Sequence, residues 1–337
     1  MGDSITVSFG GEQSTCKYEA LSTYGFAAMP SIFQQQIAFD EYDGEDDTFV
    51  SASKFANPPK SVAMGLVAAK QNMKAPAIYD LSMPTFIGTA AHSKFEKAPV
   101  KGYQNVFREI RYNMMLETLA GIKRKISGKF DLLFQKTEKD KFFLCDYKTE
   151  KAWATTFDSP GHTIQLSINR LLLTMGIPAD GHEAVTENVK GNIADIGVIF
   201  GVYRDWELDE YFKELERCSQ QGKQCQYPSS PWSMTKIRLM PLDETLKFAT
   251  LFAKEVESIL AGKITECPKS DLWRYSKFYG HKRCAFYCPG RRVCHQFAEQ
   301  LRGSQISQEM LQLIGMTAPK INLPEMLSGS NQRGTNG

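Results

Sequence analysis

The chain has no apolar run long enough to span a bilayer, which argues against a transmembrane helix. Its opening, "MGDSITVSFGGEQ", lacks the basic-then-apolar pattern of a secretory signal, so a cytoplasmic protein is expected. Charge of one sign is missing as well. Forty Lys and Arg against 38 Asp and Glu give a formal net charge of +2, which neither demands nor excludes nucleic acid. No internal repeat is visible, which sets aside a repeat-built architecture. The paired C-x₂-C of a common zinc ribbon is absent too.

What is present is the composition of a globular protein. With 337 residues, 42% of them apolar and 23% charged, the chain can bury the core of one large domain or two small ones. In a reducing compartment its eight cysteines read as thiols or metal ligands before disulfides. Cys16, Cys145, Cys218 and Cys225 are scattered, whereas Cys267, Cys284, Cys288 and Cys294 crowd into residues 267–294.

Residues 1–48 end in the acidic "DEYDGEDD" and read as an N-terminal arm. "FVSASKFANPPKSVAMGLVAAK" has a Ser-led helix start, a Pro-Pro break and a second helix. "PTFIGTAAHSKFEKA" reads as a helix that sets His92 and Glu96 four residues apart on one face. Two strand-like runs follow, "NVFREIRYNMML" and "GIKRKISGKFDLLFQ", and then a third, "FFLCDYKTE". "GHTIQLSINRLLLTMG" has helical spacing at Ile164, Ile168, Leu171, Leu172 and Met175. A strand in "IADIGVIFGVYRD" precedes a long helix around "DETLKFATLFAKEVESILAG". The expected boundaries are an arm at 1–48, a core at 49–265, a Cys-rich segment at 266–302, and a C-terminal helix and flexible tail at 303–337.

The third strand ends in Asp146 and Lys148, two residues apart and therefore on one face. A hairpin centred on Glu138 and Lys139 sets Asp131 opposite Asp146, a like-charge pair that needs a cation. In that register Phe130, Leu132, Phe134, Phe143, Cys145 and Tyr147 form an apolar face, and only the Asp face is polar. Oxygen-rich sites with one imidazole suit Mg²⁺ or Mn²⁺, and a lysine beside such a metal can polarise an attacking water.

In order, "GTAAHSKFE", "GKFDLLF", "DYKTE" and "QLSIN" resemble the RecB-type branch of the PD-(D/E)XK nucleases, particularly its phage and recombination exonucleases. The resemblance spans roughly residues 50–300, and "SASKF" resembles the small helical opening of the phage enzymes. It implies an α/β, restriction-endonuclease-like core, a mixed central sheet flanked by helices, with a helical N-terminal part and a Cys-rich C-terminal segment. Residue by residue, it implies that His92, Asp131, Asp146 and the Tyr147 carbonyl bind Mg²⁺ or Mn²⁺. Glu96 would support that shell, Lys148 would be the catalytic lysine, and Gln165 would orient the lysine or the DNA. Where the family usually has a tyrosine four residues after that glutamine, this chain has Asn169, which offers a hydrogen bond in place of stacking.

Three thiols, Cys284, Cys288 and Cys294, within eleven residues argue against separate buried thiols. Four thiolates suit zinc or an iron–sulfur cluster. Iron–sulfur nucleases of the RecB type carry three closely spaced C-terminal cysteines, so the resemblance favours a [4Fe–4S] cluster, with Zn²⁺ the alternative. Their fourth ligand usually precedes the core; here Cys267 follows it, and Cys16 is a distant alternative. Lys282, Arg283, Arg291 and Arg292 lie among Trp273, Tyr275, Phe286 and Tyr287. Basic groups bind phosphates and aromatic faces stack unpaired bases, although the same aromatics could pack around a cluster.

The expectation is a metal-dependent deoxyribonuclease, an exonuclease of recombination, replication or repair, in a bacterial or phage-infected cytoplasm. Its partners would be DNA, as linear ends or single-stranded regions, and a recombination or helicase protein, with no membrane. The alternatives are a catalytically silent DNA- or protein-binding module that keeps the fold, and a zinc-stapled structural protein.

Overall fold

The computed structural model describes residues 4–17, 20–25 (backbone only), 48–71, 73, 88, 90–91, 93–119, 121–153, 160–179, 184–268, 272, 275–278, 280–308, 311 and 316. His92, Trp273, the acidic stretch before residue 48 and the expected tail beyond residue 316 lie outside them. The chain divides into two units, Met1–Ala63 with Tyr79–Cys267, and Met64–Ile78 with Pro268–Gly337.

In the first unit the strands are β1 (Ser4–Phe9), β2 (Glu12–Lys17), β3 (Ala20–Gly25), β4 (Val50–Ser51), β5 (Asn105–Glu117), β6 (Lys123–Gln135), β7 (Phe143–Glu150), β8 (Ile177–Pro178), β9 (Ile196–Tyr203) and β10 (Trp232–Arg238). The longer helices are α1 (Pro59–Lys70), through which the division between the units runs, α2 (Pro160–Met175), α3 (Leu208–Gln220) and α4 (Leu242–Leu260). One mixed sheet has the order β3-β10-β9-β7-β6-β5-β8, with β4 alongside β6. Its centre is the parallel pair β7 and β9; β6 and β10 flank that pair antiparallel. A parallel pair needs a crossover, and α2 lies on the chain between the two strands. The apolar run "IGVIFGVY" of β9 is buried almost throughout, as a strand covered on both faces must be.

Ile164, Ile168, Leu171 and Leu172 of α2 are buried as their spacing predicts, while Met175 is exposed at the last turn. Asn169 is buried as well, and Gly128 of β6 makes room for it. A Cβ at Gly128 would stand 2.3 Å from Asn169 Oδ1 and 2.6 Å from Leu172 Cδ1. The helix therefore approaches the sheet as closely as a bare Cα allows.

The N-terminal part departs from the expected arm. It opens with a β1–β2 hairpin that turns at Gly10 and Gly11, and β3 then joins the edge of the main sheet beside β10. Both glycines have positive φ (57° and 85°), the backbone a tight hairpin turn requires. Ile5, Val7 and Phe9 alternate on one side, and Val7 and Cys16 are buried. The expected helical stretch after residue 50 is present as a 3₁₀ turn, Ala52–Ala56, and α1.

The second unit contains the short pair β11 (Tyr275–Ser276) and β12 (Gly280–His281), a π turn at Arg283–Tyr287, and helix α5 (His295–Arg302). Among the described residues, no helix is long and apolar enough to cross a membrane.

Candidate active site

The β6–β7 ladder joins Leu132 to Cys145, Leu133 to Leu144 and Phe134 to Phe143, the register expected from a turn centred on Glu138 and Lys139. Asp140 closes that turn, its Oδ2 accepting from Thr137 N at 2.9 Å and Thr137 Oγ1 at 2.7 Å. The next pair in this register is Asp131 and Asp146, and there the ladder stops. Two carboxylates opposed across a ladder repel. Asp131 turns its Oδ2 to accept the Tyr147 N–H at 2.6 Å, so a side chain takes a backbone donor at the point where the strands part.

Leu132, Phe134, Cys145 and Tyr147 pack with Phe95, Val198, Phe200 and Met234, and Phe143 lies against that cluster. Phe130 is buried and stacks on Tyr112. The opposite face is less polar than expected, because Leu133 and Leu144 on it are fully buried. The two carboxylates thus sit in an apolar wall.

Asp146 is 2% exposed, and both its oxygens face partners from different elements. Gln165, from α2, donates Nε2 to Oδ1 at 2.8 Å, and the Lys148 ammonium stands 2.5 Å from Oδ2. Lys148 in turn donates to Gln165 Oε1 at 3.2 Å, closing a triangle of carboxylate, ammonium and amide. Burial pulls the Lys148 ammonium down, but Asp146 and then Asp131 outweigh it and raise it above the ordinary lysine value. Lys148 therefore stays charged at neutral pH.

His162, one turn before Gln165, places Nε2 3.3 Å from Glu150 Oε1. Burial lowers its imidazole below 6.5 even though Glu150 pulls the other way. Sequence reading missed this pair, yet Glu150 follows Lys148 by two on a strand and His162 precedes Gln165 by three on a helix. Those spacings were a usable signal.

Glu109 of β5 was also missed. It faces Asp131 in the β5–β6 register but is left out of the ladder. It is the one non-glycine residue with left-handed backbone among the described residues (φ 52°), at a cost of roughly 1–2 kcal/mol. Its carboxylate is buried and pairs with Lys129 through Oε2, while Oε1 has no hydrogen-bond partner among the described residues. Burial first, and the Asp131 charge next, push its carboxyl above the usual carboxylate range. Glu96, half-buried in helical residues 93–97, adds to that push and also acts on Arg108. No sequence pattern separates Glu109 from the other charges of "FREIRY".

Two buried carboxylates beside a lysine offer the hard oxygen donors that Mg²⁺ and Mn²⁺ prefer. Asp146 Oδ2 is buried and, apart from its ion pair, makes no hydrogen bond among the described residues. The residues present therefore fit a divalent cation. Among the described residues, no three His, Cys, Asp or Glu side chains already stand in ligating geometry.

In the second unit, Cys284 lies inside the π turn, Cys288 ends it and Cys294 precedes α5; all three are buried. Cys267 is the last residue of the first unit's long segment. Lys282 is exposed, and Arg283 and Arg292 are half-buried. Arg291, expected among the phosphate-binding groups, instead points inward. It is 3% exposed, donates to the Cys288 carbonyl at 3.4 Å, and is pulled down to about 10 by burial. Tyr275 and Tyr287 are exposed, Tyr275 lying edge-on to His281.

The family model of the PD-(D/E)XK nuclease superfamily matches residues 83–295, more than half of the chain. That interval contains every residue of the site described above. No curated protein and no solved structure matches the chain.

Proposed function

This chain belongs to the PD-(D/E)XK nuclease superfamily, and from that premise we propose a metal-dependent deoxyribonuclease of the RecB-type branch. In this reading it acts from DNA ends, as an exonuclease of recombination, replication or repair in a bacterial or phage-infected cytoplasm. The observation that carries the proposal is the triangle of Asp146, Lys148 and Gln165 beside Asp131.

Asp131, Asp146 and the Tyr147 carbonyl, with His92, would hold Mg²⁺ or Mn²⁺, and Glu96 would support them. A bound divalent ion supplies a Lewis acid for the scissile phosphate and offsets the charge that develops there. Lys148, kept protonated by its acidic neighbours, donates to the attacking water and faces the growing negative charge. Gln165 holds that ammonium in place before substrate arrives, so little reorganisation remains for the reaction itself.

Lys282, Arg283 and Arg292 are the groups left to meet phosphates in the second unit, with DNA ends or single strands as substrate and a recombination or helicase protein as partner. To Cys284, Cys288 and Cys294 we assign a [4Fe–4S] cluster, with Zn²⁺ the alternative. Three buried thiols around a π turn, a backbone form frequent at functional sites, support that assignment. Iron and sulfide in protein purified without oxygen would bear it out, and stoichiometric zinc in colourless protein would overturn it.

End-labelled linear DNA and closed circles, incubated with Mg²⁺, Mn²⁺ or chelator, test the function. Linear DNA should be degraded from its ends with either metal and spared in chelator. Equal cutting of circles replaces the exonuclease with an endonuclease, and no cutting with either metal leaves a silent binding module.

A further inference from the structure

Glu109 combines features that packing alone does not explain. Its neighbours Arg108 and Ile110 pair regularly with Leu132 and Phe130, and the ladder is interrupted only at Glu109 and Asp131. The left-handed turn of its backbone carries the carboxylate inward, leaving the residue 7% exposed. One oxygen meets the Lys129 ammonium, while Oε1 is buried with no hydrogen-bond partner among the described residues, and the charge of Asp131, opposite in the register, acts on the carboxyl. A buried acceptor without a partner is costly, and backbone strain clusters where a function holds it in place.

We propose that Glu109 is a further carboxylate of the divalent-cation site, a positioning residue whose Oε1 accepts a hydrogen bond from a water in the cation's own shell. The inference rests on the reading of Asp131 and Asp146 as that site. Contact through water agrees with the geometry, since among the described residues no three His, Cys, Asp or Glu side chains stand together in ligating positions and Mg²⁺ keeps several of its waters when protein-bound. Glu109 is thus to the cation what a hydrogen-bonding carboxylate is to a metal-bound histidine, a group that fixes a ligand it does not replace. Loss of such a partner typically weakens metal binding about 10–100-fold.

Mn²⁺ titration followed by the electron paramagnetic resonance of the unbound ion tests this directly, with melting in chelator as a second readout. Glu109→Gln should bind Mn²⁺ about 10–100-fold more weakly than wild type, with a melting temperature in chelator equal to or above wild type. A purely structural Glu109–Lys129 pair would do the reverse, lowering the melting temperature and leaving the Mn²⁺ affinity in place. Should the single variant fail to fold, Glu109→Gln with Lys129→Gln removes both charges together. That double variant should bind Mn²⁺ about 10–100-fold more weakly than Lys129→Gln alone, and equal binding overturns the inference. Tight Mn²⁺ binding by wild type and equally tight binding by Glu109→Gln overturn this inference alone. Wild type that binds no Mn²⁺ overturns it together with the metal-dependent reading of the site.

Discussion

Lys148 and His162 stand near the same carboxylates and are driven in opposite directions. Lys148 has Asp146 at ion-pair distance and Asp131 beyond it, so attraction outweighs burial and the ammonium keeps its proton. His162 has Glu150 on one side but Lys148 near enough to oppose it, so burial prevails and the imidazole stays neutral. This has a consequence for stability. As pH falls through 6.5, the ordinary histidine value, the unfolded chain takes up a proton that the folded chain refuses, and acid therefore favours unfolding. The urea midpoint should drop as pH is lowered from neutrality past 6.5, and the drop should be smaller in His162→Gln. An identical pH profile in the two proteins would place the imidazole in a solvated position. At this scale, Asp131, Asp146 and Lys148 were legible because strand alternation puts a carboxylate and an ammonium on one face. Glu109 was not, because its importance comes from a backbone turn and a burial that the letters do not carry.

Among the elements, the β6–β7 hairpin was legible to the residue. The register followed from centring the turn on Glu138 and Lys139, and in it Leu132, Phe134, Cys145 and Tyr147 share the apolar face that packs into the core. The closing device was less visible, as Asp140 binding back to Thr137 replaces the Asn-Gly turn that announces a hairpin. The β1–β2 hairpin shows the opposite case. Its Gly-Gly turn and alternating apolar residues were present in "SITVSFGGEQSTCK", but the acidic stretch further on coloured the reading of the whole segment as an arm. The seat of α2 could not be read at all, because nothing in the sequence of β6 says which helix residue will lie over Gly128. That contact supports a prediction. Gly128→Ala places a Cβ 2.3 Å from Asn169 Oδ1 and should destabilise the protein by about 1–3 kcal/mol, as overpacking does. Urea unfolding measures it, and adding Asn169→Ala should recover part of the loss. An unchanged midpoint in Gly128→Ala would mean that α2 sits further from the sheet.

For the whole molecule, the sheet order brings β7 next to β9 and α2 into the path between them, so Gln165 meets Asp146 and Lys148 across 17 to 19 residues of chain. The motifs that carry Asp131, Asp146, Lys148 and Gln165 therefore converge because the topology requires it. Their order in the sequence made the family legible, while the inward turn of Arg291 did not show in composition or spacing. The central claim is that water hydrolyses a phosphodiester bond at the site of Asp131, Asp146 and the charged Lys148, with a divalent metal's help. The most direct measurement is the rate at which wild type and Lys148→Ala degrade end-labelled linear DNA in Mn²⁺, with circular dichroism and melting confirming that both are folded. The account predicts that Lys148→Ala loses about 10²–10³-fold in rate while still folding and binding DNA; degradation by folded Lys148→Ala at the wild-type rate would contradict it.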